Sequence, residues 1–163
     1  MGQRSKRIIE RKEFIHPFFY VHRNNAMRIS QKLDYACRAI TFLSKGYDGK
    51  SVTKLDEISE KEVIPSSFLV QILKDLKNAG LVTSKRGKAG GYLLSRRPEA
   101  VRLADVINAV EPQWLEEVDS IEGQSAAQLE RAWGELSEVF KAKANEITFD
   151  QLITGDKEPM WFI

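Results

Sequence analysis

Residues 81–97 read LVTSKRGKAGGYLLSRR, and no other stretch narrows the fold so far. Two short apolar runs, Leu81 with Val82 and Tyr92 with Leu93 and Leu94, flank a tip made of Lys85, Arg86, Gly87, Lys88, Ala89, Gly90 and Gly91. Paired runs about a glycine-containing tip predict a β-hairpin. The three glycines are expected to supply positive φ and to let the backbone approach a neighbour closely. The cations Lys85, Arg86 and Lys88 have no acid among them. A small basic fork of this kind suits phosphates or a minor groove.

The stretch feeding the hairpin, residues 65–80, reads PSSFLVQILKDLKNAG. Pro65 suits the first helical turn and Gly80 the stop. Phe68, Leu69, Ile72, Leu73, Leu76 and Ala79 recur at helical spacing and predict one apolar face. Ser67, Val70, Gln71, Lys74 and Asn78 fall on the opposite face, with Ser66 beside them. That face is uncharged-polar to basic, and Asp75 intrudes only at its margin. Reading a base edge needs side chains that donate and accept there, with phosphate contacts around them. Ser66, Ser67, Val70, Gln71, Lys74, Lys85, Arg86 and Lys88 are therefore the candidate DNA-binding residues. A helix, a glycine and a basic hairpin in this order is the pattern of a winged helix-turn-helix.

Charge is unevenly distributed along the 163 residues. Residues 1–26 carry 6 Lys/Arg against 2 acids, residues 27–112 carry 15 against 10, and residues 113–163 carry 4 against 11. These segments stand at +4, +5 and −7, within a net charge of +2. A basic middle with an acidic end fits nucleic-acid binding by the middle and another contact by the end. No apolar run is long enough to span a membrane. Cys37 is the single cysteine, so an internal disulfide framework is excluded and a reducing cytoplasm is expected. One cysteine also cannot build a four-thiolate metal site. No nucleophile elbow or phosphate loop is present, and His16 and His22 both lie in the first 26 residues, so no enzyme is expected and no cofactor.

Residues 1–26 are expected to form a poorly ordered basic extension, the other reading being a basic-aromatic arm. The folded part is expected to begin near Met27. A first helix is predicted over 30–45, buried through Ile29, Leu33, Ala36, Ile40 and Leu43, capped by Ser30 and ended by Gly46. Thr53 is expected to open a short helix over 54–61, with Asp56 as its capping partner. Leu103, Val106, Ile107 and Val110 mark a helix after the hairpin, stopped by Pro112. Residues 113–124 read as an acidic linker. Residues 125–145 predict a long helix on which Leu129, Trp133, Leu136 and Phe140 repeat at spacings of 4, 3 and 4. Little chain remains to cover that stripe, so a second subunit is expected to do so. Thr148 is expected to cap a last short helix, and an apolar tail over 159–163 to dock on the partner or on the chain's own core. The fold class is thus mainly α with a small β-hairpin. A winged helix-turn-helix over 27–112 is joined to a dimerisation helix and tail over 125–163.

MRISQKLDYACRAI, EISEKEVIPSSFLVQILKDLKNAGLVTSKRGKAGGYLLSR and LADVINAVEP together resemble the bacterial Rrf-type winged-helix regulators, the group of IscR-like, NsrR-like and CymR-like repressors. The resemblance is close over 27–112 and looser to about residue 153. It implies a homodimeric repressor in the cytoplasm, bound to double-stranded operator DNA, with a helix in each of two major grooves and a wing at each minor groove. By position it implies base-edge or phosphate contacts for Ser67 and Gln71, and minor-groove insertion for Arg86. Val70 stands where some members carry Glu. Cluster-binding members place three cysteines between the post-wing helix and the dimer helix, and residues 113–128 here contain none. The resemblance therefore points to the cluster-free branch, and Asp34, near a non-cysteine ligand position of some members, reads as a solvated carboxylate. Cys37 is the one candidate redox thiol, but beside Ala36 and Ile40 it reads first as a small buried hydrophobe. The sequence leaves the signal open among a small molecule, a partner protein, Cys37 chemistry and no signal at all. The other function class the sequence allows is a winged helix used as a protein-interaction module, or a repressor gated by a partner protein.

Overall fold

The computed structural model describes residues 29–114 and 122–154. The extension over 1–26, most of the linker and the tail over 159–163 lie outside the described residues. The elements run in the order α1 (Gln31–Lys45), α2 (Leu55–Glu62), α3 (Ser66–Asn78), β1 (Val82–Lys85), β2 (Gly91–Leu94), α4 (Leu103–Val110), α5 (Ala126–Glu146) and α6 (Phe149–Thr154). Short 3-10 turns at Pro98–Ala100 and Pro112–Trp114 bracket α4.

Each boundary has a local cause. The Ser30 hydroxyl accepts from the Leu33 N–H at 3.1 Å and satisfies one orphan donor of α1. At the other end the Gly46 N–H donates to the Ser44 carbonyl. Helix α3 starts directly after Pro65, and Gly80 follows it at φ +72°, a left-handed turn that costs glycine little. At α4 the Asp105 carboxylate accepts from the Arg102 N–H at 2.9 Å and pairs with Arg96 at 2.6 Å.

Helices α1, α3 and α4 converge on one core. Leu33, Ala36 and Ile40 of α1 meet Leu69, Ile72, Leu73 and Leu76 of α3 and Val106 and Ile107 of α4. Leu81, Val82 and Leu94 extend that core beneath the hairpin, and Ala144 and Phe149 complete it from α5 and α6. Two backbone bonds fasten this last part: Leu103 N–H to Ile147 O at 2.9 Å, and Phe149 N–H to Val101 O at 3.0 Å. The C-terminal elements therefore share the core of the winged part.

Several expectations need correction. Thr53 does not cap α2. Its backbone instead exchanges both hydrogen bonds with Tyr92, each at 2.8 Å, and α2 begins after Lys54 with no side-chain cap. Ile29 is half exposed, since it precedes the helix rather than lying on its buried face. Phe68 is also half exposed; at the edge of the apolar stripe of α3 it meets the Tyr35 ring edge-on, with centroids 6.4 Å apart. Ala79, just past the end of α3, is exposed. Thr148 does not cap α6 with its side chain; its N–H donates to Gln151 Oε1 at 3.3 Å. Of the three tip glycines only Gly87 has positive φ, while Gly90 and Gly91 serve close approach.

Val63, in the turn between α2 and α3, adopts φ 52°, ψ 47° and is 77% exposed. A β-branched residue in the left-handed region is strained, by roughly 1–2 kcal/mol. Val63→Gly is expected to raise unfolding free energy by about 0.5–1 kcal/mol, the relief exceeding the flexibility glycine adds to the unfolded chain. A shift of the urea midpoint to higher concentration is the check, and a downward shift would show the Val63 side chain to be a net contributor.

Candidate nucleic-acid interface

The turn between α2 and α3 is held from below. The Ser59 hydroxyl donates to the Ile64 carbonyl at 2.7 Å and lies 3.0 Å from the Ser66 hydroxyl, and the Ile64 N–H reaches the Ser59 carbonyl. Ile64 itself is buried, which fixes the angle at which α3 leaves the turn. Because Leu69, Leu73 and Leu76 face the core, helical spacing turns Ser67, Val70, Gln71 and Lys74 outward. All four are exposed, as is Ser66.

The hairpin continues the same surface. Its register pairs Val82 with Leu94 and Lys85 with Gly91, which leaves Arg86 and Lys88 in the turn. Lys85, Arg86 and Lys88 are exposed. Lys85 donates to the Lys50 carbonyl at 2.8 Å, and Lys77 of α3 donates to the Ser84 hydroxyl at 2.6 Å, so both the α1–α2 loop and α3 brace β1. A cleft between the start of α2 and the hairpin is lined by Lys54, Asp56, Lys85, Arg86 and Lys88. Lys54 is a cation the sequence reading missed; it stands in the turn that Thr53 fixes against Tyr92. Asp56 lies in the same cleft.

The margin of α3 carries a second feature that periodicity alone did not reveal. Gln71 donates to Asp75 Oδ1 at 2.9 Å, and Lys32 of α1 pairs with Asp75 Oδ2 at 2.9 Å. The acid at the edge of the exposed face of α3 is thus paired with a cation. Lys32 also donates to the Val110 carbonyl at 3.0 Å, beside the end of α4.

The predicted dimer stripe is divided. Leu129, Trp133 and Leu136 are each more than half exposed, joined by Val139, whereas Phe140 packs partly against the core of its own chain. Cys37 packs against the same core from α1. Burial, with the Asp34 carboxylate adding to it, pushes its thiol up to about 12. At pH 8 only about one thiol in ten thousand is then ionised. Cys37 is expected to react with a disulfide reagent at least about a hundredfold more slowly in the folded protein than in urea. Equal rates would show an accessible thiol rather than a buried one.

A helix-turn-helix whose second helix runs through a glycine into a basic two-stranded wing defines the winged helix-turn-helix class. Residues 29–155 match the family described as Rrf2, Iron-dependent Transcriptional regulator, and the chain belongs to that family of transcriptional regulators. CymR of Bacillus subtilis, an HTH-type transcriptional regulator, is 30% identical over 139 residues, covering 83% of this chain and 99% of that protein. A Mycobacterium tuberculosis protein named as an HTH-type transcriptional regulator is 40% identical over 85 residues, so the chain spans only 52% of that relative. The solved structure of CymR, the global cysteine regulator of B. subtilis, superposes with a TM-score of 0.67 at 27% identity, covering 79% of this chain and 98% of that one. These relatives are regulators, not enzymes. The chain has one cysteine, which packs partly buried against the core, and the described residues contain no group of three His, Cys, Asp or Glu placed to hold a metal ion.

Proposed function

We propose that the protein is a homodimeric, sequence-specific DNA-binding repressor that acts without an iron–sulfur cluster, in the cytoplasm. One observation carries this reading: the exposed face of α3 and the basic hairpin tip form one braced surface, from Ser67, Val70, Gln71 and Lys74 to Lys85, Arg86 and Lys88. Gln71 and the serines supply base-edge donors and acceptors. Val70 supplies an apolar surface of the kind that meets a thymine methyl. Lys74 and the wing cations supply phosphate and minor-groove contacts. The half-exposed Leu129, Trp133 and Leu136 support a second copy as the cover of α5, since large apolar side chains left in a row on a long helix favour burial. In this reading residues 27–112 bind DNA and residues 125–163 dimerise. Two copies then engage half-sites one or more helical turns apart, and occlude a promoter. A small molecule or a partner protein supplies the signal.

The test is fluorescence anisotropy of the full chain on its own upstream promoter fragment and on a scrambled duplex, across a salt series. Promoter affinity at least about a hundredfold above scrambled is expected, falling steeply with salt. Arg86→Ala is expected to weaken it about tenfold. Equal weak binding to both duplexes would remove the reading and favour a protein-contact role. Sedimentation of the wild type and Leu136→Lys tests the dimer: a dimer that the substitution turns to monomer is expected.

A further inference from the structure

We infer that Asp75, held by Lys32, is a positioning residue that fixes the amide of Gln71 so that this side chain reads adenine. The inference rests on the DNA-binding reading above and assigns a base preference within it.

The geometry is a three-residue chain. Lys32 Nζ sits 2.9 Å from Asp75 Oδ2, and Asp75 Oδ1 accepts from Gln71 Nε2 at 2.9 Å. Lys32 is itself anchored to the Val110 carbonyl at 3.0 Å. A carboxylate facing an ammonium only accepts hydrogen bonds. The Gln71 amide must therefore turn its NH₂ edge toward Asp75, because the flipped amide would set two acceptors against each other. One Nε2 hydrogen is then committed. The other Nε2 hydrogen and the Oε1 acceptor remain for a partner, on the exposed face of α3.

One donor beside one acceptor matches the major-groove edge of adenine, which offers N7 as acceptor and the N6 amine as donor. Guanine offers two acceptors, O6 and N7. Reading both would take both amide hydrogens, one of which Asp75 holds. A free glutamine chooses between the two by rotating its amide; here Asp75 removes that choice. Lys32 keeps Asp75 in place from α1, so the preference depends on a residue that touches neither the base nor Gln71.

The experiment is selection of binding sites from a random duplex library by the full chain, for wild type, Gln71→Ala, Asp75→Asn and Lys32→Gln. The sequenced pools give base preference at each position. The wild type is expected to show an adenine whose preference Gln71→Ala erases. At that same position Asp75→Asn is expected to lower the adenine-to-guanine ratio about tenfold, since an asparagine can accept or donate and frees the flip. The other positions are expected to hold, and Lys32→Gln to shift the ratio in the same direction. Thermal melting by circular dichroism separates this from unfolding. An unaltered ratio in folded Asp75→Asn, or a Gln71-dependent position that is not adenine, would overturn the inference while leaving the DNA-binding reading intact. A wild-type pool with no enriched sequence would sink both.

Discussion

Phe149→Ala is expected to lower unfolding free energy by about 3–5 kcal/mol, the range for truncating a fully buried aromatic. Phe149 is 0% exposed and belongs to the same core as Leu33, Ile40 and Val106, although it lies far from them in the chain. Its N–H also closes the bond to the Val101 carbonyl that fastens α6 beside the approach to α4. Truncation leaves a void at the meeting of these elements, and the neighbours are too well packed to fill it. A domain stable by only about 5–15 kcal/mol would be left marginal. Urea unfolding followed by far-ultraviolet circular dichroism measures the loss. A change below about 1 kcal/mol would mean that α6 contributes little to the core and docks only at its surface.

Gly91→Ala is expected to cost about 3 kcal/mol, for a different reason. A Cβ at this position would land against the Thr53 carbonyl oxygen and carbon and come within 3.3 Å of the Lys54 nitrogen. These are backbone atoms and cannot turn aside as a side-chain tip would. The Thr53–Tyr92 pair must then open, losing two hydrogen bonds of roughly 1 kcal/mol each and adding the strain of an overfilled site. Denaturant titration gives the stability loss. Hydrogen exchange of the Thr53 and Tyr92 amides gives its location: both should lose protection ahead of the α3 amides. Retained protection at those two amides would show that the strain is relieved elsewhere.

Much of this fold is legible in the chain because its main signals are local. The apolar stripe of Leu69, Ile72, Leu73 and Leu76 on α3, the Ser30 cap and the glycine-rich tip each rest on neighbours in sequence. What escaped the sequence reading depends on partners distant in sequence. Thr53 followed by Lys54, Leu55 and Asp56 looks like a helix start, and nothing within those four residues reveals that Tyr92 will claim the Thr53 backbone. Phe68 is apolar and sits beside the buried stripe, so periodicity places it inward; in the fold it meets the Tyr35 ring edge-on and stays half exposed. Asp75 appeared as a stray acid because its partner Lys32 lies on another helix. The candidate interface follows the same rule. The exposed cations and the polar outward face of α3 were visible, whereas the bonds from Gln71 to Asp75 and those that brace β1 were not.

The paired bonds between Thr53 and Tyr92 have one more effect. They join the hairpin to the start of α2, while Lys77 joins it to α3, so the wing is tied to both helices of the helix-turn-helix. In the DNA-binding role proposed above, this bracing makes the wing and α3 act together as a gauge. A duplex that engages both parts has to supply a groove width and twist that match it, and any mismatch is absorbed by bending or untwisting the DNA, whose stiffness varies with sequence. Base pairs lying between the two contacts, touched by no side chain, would thereby influence affinity through their deformability alone.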